Sequence, residues 1–135
     1  MRYLMSIITA GLFLITANSV LAEESSGSSD SEPLFIEFTP LSVSVIQRTR
    51  VAGFLSVAFN LVVENEEAAA HVERLRPRLR DAIVRILSRV ANSRLDINRP
   101  VDVDLIRAYV QMAVDGVLGA EKARVLMETV SLQPA

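Results

Sequence analysis

From Leu55 to Val63 every second residue is large and apolar: Leu55, Val57, Phe59, Leu61 and Val63 fall on one side, with Ser56, Ala58, Asn60 and then Glu64 on the other. A period of two means a long strand with one core-facing side, and only Val62 breaks it. At Asn65 the period changes. Asparagine is a good N-cap, and Glu66 and Glu67 then sit where carboxylates oppose the helix dipole, so a helix starts there. A long half-buried strand running into a helix restricts the chain to folds in which helices cover a sheet.

The strand's partners are legible on both sides of it. Leu34 to Phe38 reads as a short strand stopped by Pro40. Leu41, Val43 and Val45 alternate with Ser42 and Ser44, and the polar Gln47-Arg48-Thr49-Arg50 turns the chain back. Pro77 is expected to interrupt or kink the helix begun at Asn65, because its ring lacks a donor and strikes the carbonyl four residues earlier. Beyond it Leu79, Ala82, Ile83, Ile86 and Val90 recur at three- and four-residue steps and form an apolar stripe. Asn92 to Pro100 reads as a loop. Asp102 or Asp104 then caps a helix through about Leu118, with Leu105 or Ile106, Tyr109, Val110, Ala113 and Val117 inward, and Gly119 closes it. Arg124 to Leu132 forms a last strand, rich in β-branched residues at Val125 and Val130. The expected fold class is α+β: a small antiparallel sheet of about four strands with two or three helices packed on one face, after an N-terminal signal or anchor helix.

Residues 1–22 have the anatomy of an export segment. Arg2 is the positive leader, Leu4 to Ile15 is mostly apolar, and Val20-Leu21-Ala22 is a small-residue cleavage signature. The same run just reaches the length of a membrane span, but Thr16, Asn18 and Ser19 weaken its second half, and cleavage is the favoured reading. Either way the rest of the chain lies beyond the inner membrane, in the periplasm or on its periplasmic side. Residues 23–33, rich in Ser, Gly and acid, form a tether. Residues 34–135 remain for one domain, about 100 residues and enough to bury a self-sufficient core. The sequence has no cysteine, so that core is built without disulfides.

Catalytic chemistry finds little support. His71 is the only histidine, with no cysteine in the chain and no acid three or four positions beyond it. Neither a metal site nor a hydrolytic triad assembles around it. The carboxylates of Glu66-Glu67 and of Asp102 with Asp104 are explained by helix starts. The five glycines never cluster into a phosphate-binding loop. No cofactor is expected.

Charge is more informative. The net charge of -2 conceals a division: Glu23 to Glu73 holds nine acids and two arginines, whereas Arg74 to Arg99 holds eight arginines with only Asp81 and Asp96. At 100° per residue Arg74, Arg78, Arg85 and Arg89 share one side of their helix, with Arg76 and Arg80 on the other flank. Such a row is either a solvated face or a contact surface for an acidic partner, a neighbouring copy's acidic half, or anionic headgroups. Nucleic acid is disfavoured by the export segment and by the few aromatics near the arginines.

The run from Phe35 to Gln133 resembles the periplasmic domain of the flagellar basal body-associated protein FliL. The likeness is carried by a strand ending in Thr39-Pro40-Leu41, the long strand Phe54 to Glu64, the run Arg76-Pro77-Arg78-Leu79-Arg80-Asp81-Ala82-Ile83 followed by Ile86-Leu87, and a closing strand ending in Gln133. The resemblance implies a stomatin-like (SPFH) domain of the inner membrane that forms a homo-oligomer around the flagellar stator proteins. It implies no enzymatic role, and support of flagellum-dependent motility and chemotaxis through those contacts. This chain departs from the family at its front end, where a signal with one arginine replaces the usual anchor and basic leader.

Overall fold

The computed structural model describes residues 32–135; the predicted export segment and most of the predicted tether lie outside that range. Four strands and two helices follow in the order β1 (Leu34–Glu37), β2 (Leu41–Gln47), β3 (Arg50–Val63), α1 (Glu66–Arg94), α2 (Val103–Leu118) and β4 (Arg124–Pro134). The fold is α+β, with a fully antiparallel four-stranded sheet.

β3 is the middle of everything. β1 and β2 run end to end along one of its sides, β1 opposite Asn60 to Val63 and β2 opposite Arg50 to Val57. β4 covers the other side from Gly53 to Val62. Phe38, Thr39 and Pro40 separate β1 from β2, as expected of a proline that cannot donate to a ladder. A two-residue turn at Arg48 and Thr49 joins β2 to β3 with φ of 49° and 66°. Both central residues of this hairpin turn need positive φ, which a β-branched threonine adopts only under strain. Pairing shifts at Val45/Ile46 and again at Ala58/Phe59, where Glu128 is the extra residue of β4. Its carboxylate accepts a hydrogen bond from the Asn60 side chain at 2.8 Å.

Leu55, Val57, Phe59, Leu61 and Val63 are all buried, as the alternation predicts. Val62, which broke the pattern, is on the opposite face but also buried, between Phe35 and Arg124 in register. Both helices cover the inner face: Val72, Leu79, Ile83, Leu87 and Val90 of α1, and Ile106, Val110, Val114 and Leu118 of α2, join the sheet residues in one core. Phe38 stacks on Phe59 at 5.2 Å between ring centres and closes that core near β1.

Two expectations about the helices need correction. Pro77 does not divide the first helix, which runs unbroken for 29 residues, so of the two or three helices expected the described residues form two. A mid-helix proline costs about 3 kcal/mol. Buried Val72 before it and Leu79, Ile83 and Leu87 after it fix both halves on the same sheet face, and separating them would forfeit more than that. The helix also continues to Arg94, so Asn92 belongs to its last turn and not to the loop. The caps hold as read: Asn65 accepts from Ala68 N at 2.8 Å, and Asp102, not Asp104, accepts from Leu105 N at 3.1 Å. Gly119 ends α2 at φ 96°, a conformation that suits glycine.

Candidate interaction surface

α1 is about 43 Å long at 1.5 Å per residue, and the arginine row follows its solvent side. Arg74, Arg78, Arg85 and Arg89 are all exposed. They share the helix flank but not one site. Arg85 and Arg89 line a shallow groove of about 300 Å³ whose other walls are Ala82 and Ile86 of α1 and Ala113, Gly116 and Val117 of α2. Arg74 lines a different cavity of about 440 Å³ at the start of α1, with Glu64, Glu67, His71, Glu121 and Lys122. Arg78 lies between the two and lines neither.

Local pairing sets how much charge each arginine has to spare. Asp81, one helical turn before Arg85, forms an ion pair with it, while Arg74 lies 3.3 Å from the His71 ring. Among the described residues Arg78 and Arg89 have no side-chain partner. Exposed i,i+4 pairs such as Asp81–Arg85 contribute only tenths of a kcal/mol, about 0.3–0.5. Arg85 therefore remains able to change partner.

Arg76 behaves differently from its neighbours. Its guanidinium lies 4.5 Å from the centre of the Phe38 ring, donates to the Glu37 carbonyl at 3.0 Å and grips Glu73 at 2.6 and 2.8 Å. Hydrogen bonding from Arg76 holds the Glu73 carboxyl below its usual pKa against a small opposing effect of burial. Arg76 is thus a brace for the fold, and the exposed row is what remains for contact.

The groove's second wall was not visible in the row itself. Ala82 and Ile86 read as part of the core stripe but are only half-buried and face the groove, whereas Leu87 fills the core position. Ala113, Gly116 and Val117 recur at helical spacing on α2, and their small size makes the groove a groove. A side chain at Gly116 would meet open space. The floor is apolar and the α1 rim cationic, an arrangement suited to a peptide or helix presenting apolar residues beside carboxylates.

No cluster of three or more metal-ligating side chains occurs among the described residues, and none of their helices is long and apolar enough to cross a membrane. No family model, no curated protein and no solved structure matches this chain.

Proposed function

We propose that this chain is a non-enzymatic contact module of the bacterial envelope that supports flagellum-dependent motility as a FliL-like protein of the basal body. The observation that carries the reading is the arginine-rimmed groove: two exposed guanidiniums of α1, one without a partner among the described residues, beside an apolar floor shared with α2. Acidic protein surfaces fit it, whether on a flagellar stator protein or on another copy in a homo-oligomer. The segments on which the family resemblance rests lie on β1 and the link after it, β3, α1 and β4.

Complementation tests this reading. A strain lacking the gene swims more slowly in viscous medium at unchanged growth rate, and the chain carrying Arg85→Glu with Arg89→Glu fails to restore speed although its melting temperature is unaltered, since exposed charges add little to stability. Full rescue by the double variant removes the groove from the reading. Normal motility of the deletion strain, combined with lost self-association or partner binding by the variant, assigns the module to a different envelope assembly.

A further inference from the structure

The two edges of the sheet are not finished alike. On the β1/β2 side, helix side chains occupy edge groups: Arg76 donates to the Glu37 carbonyl and Asn92 accepts from the Ile46 amide at 2.7 Å. On the β4 side only the beginning is closed. There Gln111 of α2 accepts from Val125 N at 2.8 Å and donates to Ala123 O at 2.9 Å. Past the bulge at Glu128, the remainder of β4 is hydrogen-bonded, among the described residues, to β3 alone.

The open groups can be assigned. Val125 faces the core and its amide points away from β3, to Gln111. Within one strand of L-residues, side-chain face and hydrogen-bonding direction are coupled, so other core-facing residues of β4 also aim N–H and C=O outward. Val130 and Leu132 pair with Val57 and Leu55, hence face the core, and both are only half-buried. Pro134, next in the same series, has no N–H to waste, as is usual for proline on a free edge. From Val125 to Gln133 the only charge is Glu128, and no lysine or proline interrupts the edge before Pro134.

We propose that this edge pairs with its own copy, β4 against β4 of a second chain, antiparallel about a two-fold axis at Ser131. That register is self-complementary. It sets Val130 opposite Leu132 of the other copy twice, so the four outward backbone groups of each chain are satisfied together, and it buries the half-covered apolar pair. On the wet face Thr129 meets Gln133 and Ser131 meets Ser131. Charge does not oppose it, since residues 129–133 carry none and the two Glu128 carboxylates lie at opposite ends of the paired run. This pairing extends the sheet across two molecules and does not depend on the arginine groove.

The chain has no cysteine, so single thiols report the register directly. In the full-length protein Ser131→Cys places two thiols at a non-hydrogen-bonded pair, about 4.5 Å between Cα atoms and within disulfide reach. Mild oxidation with diamide is expected to double its mass on a non-reducing gel. Thr129→Cys or Gln133→Cys alone stays single, while a mixture of those two cross-links. Ser131→Lys, on the wet face, keeps the fold by circular dichroism and shifts light scattering towards the monomer. A monomeric Ser131→Cys, equal cross-linking at all three positions, or cross-linking of Ser131→Cys in cells only to a different protein each overturns the self-pairing.

Discussion

The β1/β2 edge and the β4 edge belong to one sheet and share the same central strand, yet among the described residues helix side chains reach both ends of the first and only the start of the second. The 29-residue α1 reaches both ends of it, with Arg76 near β1 and Asn92 near the hairpin, and Gln47 adds a bond to Leu95 O at 3.2 Å. The 16-residue α2 reaches only the start of β4 through Gln111. Strand sequence alone does not protect an edge here. Helix length and one polar side chain per contact decide which backbone groups are closed.

The comparison breaks most sharply if α1 is loosened from the sheet. Leu87→Ala removes a fully buried side chain from the helix's inner face and is expected to destabilise the domain by about 2–5 kcal/mol in denaturant unfolding, the range for a large-to-small core change. Smaller effects separate the two edges. Gln111→Leu leaves Val125 N–H and Ala123 C=O without their partner at a part-buried site and should cost about 1–3 kcal/mol. In native-state hydrogen exchange it accelerates Val125 and leaves Ile46 unchanged. Asn92→Ala does the reverse, accelerating Ile46 alone, for about 0.5–1.5 kcal/mol because its bond is exposed. Equal acceleration of both amides in either variant would show that the edges open as one unit.

The smallest effect concerns pH at the braced edge. Arg76 lowers the Glu73 pKa in the folded chain, so the pair's contribution is present above the ordinary carboxylate value of 4.5 and is lost as pH falls through the lowered one. Glu73 is more than half exposed, and screening keeps the contribution slight. Glu73→Gln should therefore flatten the acid limb of melting temperature against pH a little without altering it near neutrality. An unchanged acid limb would leave Arg76 holding the edge through Glu37 and Phe38 alone.

Sequence periodicity carried the sheet and both helix starts because each depends on neighbours two to four positions apart. Leu55 to Val63, the Asn65 and Asp102 caps and the Gly119 stop are all local in this sense. Pro77 misled because its local penalty was outweighed by packing on either side, which only the folded chain displays. Ala82, Ile86 and Leu87 show the same limit: the stripe read from spacing took in the first two and passed over Leu87, whereas the position of α2 leaves Ala82 and Ile86 lining a groove and Leu87 is core. Braces such as Asn92 to Ile46, across 46 residues, leave no periodic trace at all. The exposed arginines could be read as a row, but their division between two cavities could not.

The position of β4 also bears on how the molecule comes into being. β3 takes its second neighbour from a segment so far along the chain that Leu55 waits for Leu132, and both helices must be made in between. Such distant pairings are slow to form. A polypeptide cut off before Arg124 would carry β3 with one whole side bare and its greasy row half covered, a species prone to clump and open to proteases. The distance in sequence between these two strands thus sets how long β3 stays one-sided during synthesis.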